Sequence, residues 1–306
     1  MNHQVTRPKR NVGRLLDLRL AIAATLCVLA LAGSARAQTW TPIDCPGYAH
    51  ADARGINDFG TIVGICEDQD GNFTGYLLQG GVFSTVVPPG AWFTEPWDVN
   101  NLGVVAGDYI GEDGLFHGFL FQNGSYTTLD YPGALHTSVQ GIDDLGRLVG
   151  IFIVDENFIY EAFSYAGGRY EVIEVPGSEG TSAEGINIRK QVVGSWDAGG
   201  VSHGFLLKNG RLTKFMYPGA VSTTANKINI FGQITGTWGS EDGSVHGYIR
   251  SKGGFESIDH PGSTATTAQD INNLGQNVGA FVDEAGVQHG YVRTPARHPG
   301  DDEDDD

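Results

Sequence analysis

GINDFGTIVG, at residues 55–64, is the stretch on which the fold turns, because five relatives of it follow in the same chain. They are DVNNLGVVAG from Asp98, GIDDLGRLVG from Gly141, GINIRKQVVG from Gly185, KINIFGQITG from Lys227 and DINNLGQNVG from Asp270, at steps of 43, 43, 44, 42 and 43 residues. A second signature trails each copy: TGYLL at Thr74, HGFLF at His117, EAFSY at Glu161, HGFLL at His203, HGYIR at His246 and HGYVR at His289. A Pro-Gly pair keeps the same period, at Pro46, Pro89, Pro132, Pro176, Pro218 and Pro261. A fixed period of this length is the mark of a repeat architecture.

Each period carries four strand signals. In the fourth copy these are residues 181–186, 191–196, 204–207 and 212–217, the last stopped by Pro218-Gly219. Asn-x-x-Gly offers an Asx-type turn between the first two strands, with Gly closing it. Asn123-Gly124 and Asn209-Gly210 are two-residue hairpin turns between the third and fourth. No segment shows helical periodicity. Four short antiparallel strands per period predict an all-β, six-bladed β-propeller rather than a solenoid. The last period stops at Pro295 without its fourth strand, and residues 39–47 have the form of the missing piece. The N-terminal strand is therefore expected to complete the last blade, closing the ring and removing exposed sheet edges.

The GIND-x-G-x-VVG, HGF and Pro-Gly motifs resemble the bacterial HAF repeat family of extracellular repeat proteins. The likeness covers residues 39–293 and implies the fold and export from the cell; it implies no catalytic residue. Two copies depart from the pattern. The third has Glu161-Ala162 in place of His-Gly, and the fourth puts Ile188 and Lys190 where the turn Asp and Gly belong.

The ends read differently from the repeats. Residues 1–37 have a basic leader (Arg7, Lys9, Arg10, Arg14, Arg19), a short apolar run from Ala21 to Gly33, and Ala35-Arg36-Ala37 as a small-x-small cleavage site. The apolar run is too short to span a bilayer, which needs about 20 residues. A secretion signal cut after Ala37 is expected, leaving a propeller over 38–295 in the periplasm or outside the cell. The leader holds six basic residues and one acid, so its removal would move the formal charge from −17 to −22. Such a surface excludes nucleic acid as a partner, since that affinity rests on Lys and Arg neutralising phosphates. Residues 296–306, ending in six acids, form a tail expected to be disordered. No cofactor and no membrane insertion are expected, and the chain is expected to be a monomer.

Four histidines in register, His117, His203, His246 and His289, invite a metal reading. Equivalent positions on third strands of adjacent blades lie about 20 Å apart, from the ~10 Å and ~4.8 Å spacings of packed and paired strands. Zinc needs its ligands within about 2 Å. A structural role, bonding neighbouring backbone, is expected instead. Acids before each third strand, such as Asp68 and Asp70, read as turn residues rather than as a calcium loop, which also needs a bidentate Glu. No nucleophile elbow, phosphate loop or Cys-x-x-Cys pair occurs.

Cys45 and Cys66 are separated by 21 residues, the offset that also links Tyr131 to Phe152, Tyr217 to Trp238 and His260 to Phe281. These positions are expected to touch between blades, with a disulfide taking the place of a ring pair; two buried free thiols are the alternative. Function is sought where the copies diverge. One variable set follows Pro-Gly and includes Tyr48, His50, Trp92, Phe93 and His136. A second lies in the first strand: Arg54, Trp97, Gln140, Glu184, Asn226 and Gln269, of which some are expected to line the channel. Tyr48, His50, Trp92, Phe93, Trp97 and His136 crowd the first three blades, as aromatics beside polar groups do on recognition surfaces. The first reading is thus a binding propeller for a protein or glycan, against the alternative that Trp92 and Trp97 pack between blades. The second is a polysaccharide hydrolase or lyase using Asp52, Glu95 or Glu184 as acid and base.

Overall fold

The computed structural model describes residues 38–156, 159–252 and 254–296, and these contain strands and turns but no helix. The leader at 1–37 and the acidic tail from 297 onward lie outside the described residues. Residues 40–294 form one compact unit. In it six antiparallel sheets are arranged in a ring, five in chain order and the sixth shared between the two ends. Blade 1 runs His50–Ile56, Ile62–Glu67, Phe73–Gln79 and Val82–Thr85 from axis to rim. In blade 6 the outermost strand is Thr39–Ile43, paired with Gln288–Thr294. The ring is closed by the strand that the sequence supplies first.

Alternating strand direction sorts the loops. Pro-Gly loops and the turns between second and third strands share one face, here the Pro-Gly face. The Asn-x-x-Gly turns and the outer hairpins share the other, the Asn-turn face.

The recurring residues are backbone requirements. A Cβ on Gly64 would lie 2.0 Å from the Asp52 carbonyl oxygen, and one on Gly150 would lie 2.0 Å from that of Ser138. Only glycine fits where the second strand crosses so close to the first. That crowding accompanies a bulge: the register of the inner pair shifts between Ala53 and Gly55, Pro96 and Asp98, Val139 and Gly141, and Ala183 and Gly185. The residues squeezed out are Arg54, Trp97, Gln140 and Glu184, four of the six in the variable first-strand set singled out above. A bulge re-aims a side chain, and here the re-aimed positions are the divergent ones.

There is no single core; apolar slabs lie between neighbouring blades. Ala106, on blade 2, packs with Val139 and Leu148 of blade 3, while Val149 packs with Ala183 and Phe205 of blade 4. Polar groups tie the ring at its centre. Asn57 Nδ2 donates to the Asn100 carbonyl (3.1 Å), Asn100 to that of Asp143 (3.0 Å), Asn187 to that of Asn229 (2.8 Å), Asn229 to that of Asn272 (3.1 Å), and Asn272 back to that of Asn57 (3.0 Å). Blade 3 has Asp143, which cannot donate. The Arg147 guanidinium, bound to Asp143, reaches the Asn187 carbonyl at 3.3 Å instead. The same Asn also accepts from its own turn, as Asn57 Oδ1 does from the Phe59 and Thr61 amides. One side chain thus makes the turn and joins two blades.

Candidate functional site

Moving along the axis from the Asn circle, the next layer is the first residue of each decapeptide: Gly55, Asp98, Gly141, Gly185, Lys227 and Asp270. The glycines leave no room for more: a Cβ on Gly55 would come within 2.8 Å of the Asp98 Cα, and one on Gly185 within 2.8 Å of the Lys227 Cα. The three charges fill the centre. Lys227 Nζ donates to the carbonyls of Gln140 (2.5 Å) and Glu184 (2.8 Å) and lies 3.8 Å from Asp98 Oδ2. Asp98 and Asp270 accept from the Ile142 and Ile56 amides (3.0 and 2.8 Å). Burial pushes the carboxyl of Asp98 up against the pull of Lys227, and burial together with the Asp98 charge pushes Asp270 up to about 7.

Above this layer, toward the Pro-Gly face, the bulge residues meet the acids of the first strands. The Arg54 guanidinium lies 3.9 Å over the Trp97 ring, 2.8 Å from Glu95 Oε1 and 3.3 Å from Asp52 Oδ2. Trp97 Nε1 donates to Asp108 Oδ2 (2.8 Å), and Ser138 Oγ donates to the same oxygen. Gln140 Nε2 donates to Ser138 Oγ at 2.6 Å. Glu95 and Asp108 stand directly opposite each other on paired strands. Burial, then the Glu95 charge, pushes Asp108 up to about 7. Asp52 Oδ1 and Asp108 Oδ1 are buried and accept no hydrogen bond from the described residues. Sequence reading named Asp52, Arg54, Glu95 and Trp97 but missed Asp108, which sits on a second strand where the other blades carry Ile65, Ile151, Ser195, Thr237 and Ala280. An acid at an otherwise uncharged repeat position was the available signal. Glu184 is elsewhere: it is half-buried in blade 4, and desolvation raises it against Ser182 and Lys227.

The pH dependence of stability follows. Asp108 and Asp270 hold protons up to about pH 7 when folded, whereas free carboxyls release them near 4. Between those values the folded state binds more protons, so stability falls as pH rises through the window. His117 and His289, raised above 6.5 by hydrogen bonds to carboxylates that outweigh partial burial, push in the same direction. The urea midpoint is expected to be higher at pH 5 than at pH 8. An equal or lower midpoint at pH 5 would contradict the buried, protonated carboxyls.

The aromatic candidates separate. The Phe93 ring lies 6.3 Å from Trp92, 5.7 Å from Phe73 and 6.1 Å from Phe116, whose ring is 5.8 Å from His136. This band crosses blades 1 to 3 on the Pro-Gly face, and Trp92 stands out of it at 68% exposure. Phe73 and Phe116, at the starts of third strands, were missed because variability was weighed only after Pro-Gly and along the first strand. The histidines serve the scaffold: Nδ1 of His136 accepts from the Phe116 amide and Nδ1 of His50 from the Gln288 amide, both at 3.1 Å and both across a blade boundary. Tyr48, 37% exposed, lies outside the band, and Trp97 belongs to the axial cluster.

Three of the four HGF histidines face carboxylates, which corrects the expectation of backbone contacts. Nδ1 of His117 is 3.1 Å from Asp130, that of His246 is 2.7 Å from Asp259, and that of His289 is 2.6 Å from Asp44. Among the described residues His203 is the one of the four that uses backbone, 2.9 Å from the Val201 carbonyl. Rows of Asp before Pro-Gly supply these carboxylates. The 21-residue pairs do meet across blades: ring centroids are 3.7 Å apart for Tyr131 and Phe152, 4.3 Å for Tyr217 and Trp238, and 3.6 Å for His260 and Phe281. At the equivalent place Cys45 and Cys66 are joined as a disulfide, with Cα atoms 5.9 Å apart.

No family model matches the chain, and no curated protein does, so the HAF resemblance rests on the motifs themselves. Among solved structures the chain is similar to a TolB-type protein from Agrobacterium tumefaciens, at 11% identity over 87% of this chain and 100% of that one, with a TM-score of 0.59. It is also similar to AofleA from Arthrobotrys oligospora, at 16% identity over 85% and 88%, with a TM-score of 0.54. TolB from Acinetobacter baumannii matches at 12% identity over 78% and 66%, again at 0.54. At these identities the likeness is one of fold, and the fold is the six-bladed β-propeller.

Proposed function

We propose that this chain is an exported binding propeller that takes a glycan on its Pro-Gly face, with a protein segment as the alternative partner. The observation that carries this is the aromatic band capped by exposed Trp92, on the face where Asp52, Glu95, Asp108, Ser138 and Gln140 gather at the axis. Flat apolar faces beside hydrogen-bonding groups suit a polyhydroxyl ligand, whose C–H faces stack on rings. Trp92→Ala is expected to weaken binding at least tenfold in a glycan array followed by calorimetry. Because the side chain is 68% exposed, the melting temperature should stay within the range of ordinary surface substitutions. Undiminished binding in the variant would refute this placement of the ligand.

One observation favours a second reading, a polysaccharide hydrolase or lyase. Glu95 and Asp108 face each other, one ion-paired to the Arg54 guanidinium and the other pushed by burial up to about 7, an asymmetry of the kind that acid–base catalysis uses. The same polysaccharides, assayed for newly released ends with wild type and Glu95→Gln, test it. No release by wild type removes the enzymatic reading and leaves the binding one.

A further inference from the structure

The fourth blade breaks the repeat at one turn, and the departures at the third and fourth turn positions have the same chemistry. At the third turn position the other blades carry a large apolar residue in solvent: Phe59, Leu102, Leu145, Phe231 and Leu274, 60–78% exposed. Blade 4 has Arg189. At the next position the others carry glycine at φ near +75°, such as Gly60 (+73°) and Gly275 (+76°); blade 4 has Lys190, held at φ +58°. A lysine in the left-handed region is strained, and strain that a glycine would relieve points to a use for the side chain. The neighbouring residue adds weight: Arg147, from blade 3, occupies a position filled by Thr, Val or Gln in the other blades. Three cations converge in a chain with 19 basic and 36 acidic residues.

They converge on a cavity. Between blades 3 and 4, on the Asn-turn face, a cleft of about 420 Å³ opens, and all three cations line it. Its walls are apolar, formed by Tyr165, Ile173, Ile186 and Leu207. The volume lies in the range of small-molecule sites. Arg147 is committed in part to Asp143 and the Asn187 carbonyl. Among the described residues neither Arg189 nor Lys190 is in an ion pair, and Glu171 is the one acid of the lining, 71% exposed and 4.0 Å from Arg169.

We propose that this cleft is a second binding site, on the face opposite the glycan site, for a small carboxylate with an apolar body. The apolar walls take the body, and Arg189 and Lys190 at the lip take the charge. Two residues that replace an apolar group and a glycine with cations convert an ordinary blade boundary into an anion-reading pocket. Its site is independent of Trp92, so it stands or falls separately from the reading above.

The test is calorimetric titration of the protein with octanoate, with acetate (charge without body) and 1-octanol (body without charge) as separate arms. Octanoate is expected to bind saturably at one site, at least tenfold tighter than either control, and more weakly at raised salt. The double variant Arg189→Leu, Lys190→Gly restores residues that the other blades carry at these positions. It is expected to bind octanoate at least tenfold more weakly while melting no lower than wild type, because relief of the left-handed lysine offsets the added freedom of glycine. Three results would each overturn the proposal: no saturable octanoate binding by wild type, equal binding of octanol, or full binding by the variant. A variant that melts lower is replaced by Lys190→Gln, which keeps the fold's backbone demand and removes only the charge, with the same tenfold loss expected.

Discussion

Lys227→Met is expected to lower the free energy of unfolding by about 3–5 kcal/mol, the cost of removing one partner from a buried charge set. The ammonium is buried at the axis, where it holds the Gln140 and Glu184 carbonyls and faces Asp98. Methionine fills similar space but donates nothing, leaving two buried acceptors empty and Asp98 and Asp270 without their cation. The same change should steepen the pH dependence. With the lysine gone both carboxyls rise further, so acid should recover part of the lost stability as they become neutral. Urea titrations of wild type and variant at pH 5 and pH 8 check both statements. A loss under 1 kcal/mol at pH 8 would mean that the axial charges are solvated and that the channel is wetter than this packing allows. Adding Asp98→Asn to the variant should restore stability in part, because it removes a charge that the lysine balanced.

Breaking the Cys45–Cys66 link by Cys45→Ala is expected to cost about 3 kcal/mol on the chain-entropy account. In a two-state transition this corresponds to roughly 6–12 °C in melting temperature at 2–4 °C per kcal/mol. The position of the bond explains why the loss would be felt. Cys45 follows the strand Thr39–Ile43, which closes blade 6, and Cys66 lies on the second strand of blade 1. The bond therefore ties the closing strand to the blade beside it. Trp40 packs against Tyr291 and His260, at ring distances of 4.8 and 5.1 Å, and His289 holds Asp44 at 2.6 Å, so the closure is secured on both sides. Non-reducing peptide mapping should find the Cys45 and Cys66 peptides linked, and dithiothreitol should lower the wild-type melt toward that of the variant. Two unlinked peptides would contradict the Cys45–Cys66 link.

The contrast between legible and illegible features follows distance along the chain. Asn57 and its turn were readable because the turn serves a backbone need within a few residues and recurs at a fixed period, with Asn in five of the six copies. The 21-residue pairs were readable because the same offset recurs, even though the contact crosses a blade boundary. Asp108 was not. Its partners Trp97 and Ser138 come from two different copies, and nothing in the linear spacing links an acid on a second strand to a bulged residue of a first. The histidine partners were misread for a related reason: Asp130 and Asp259 looked like residues leading into Pro-Gly, yet the hairpin folds them back onto the third strand.

By itself the sequence determined the blade count, the strand order within a blade and the closure by the N-terminal strand, because each rests on local turn chemistry multiplied by a regular period. Only the tertiary structure decided what occupies the axis. Closing the ring brings residues from six separate copies to one line, where Lys227 meets Asp98 across more than a hundred positions of chain. Which side chains meet there depends on the bulges and on the room that neighbouring glycines leave, and neither is written in any one copy.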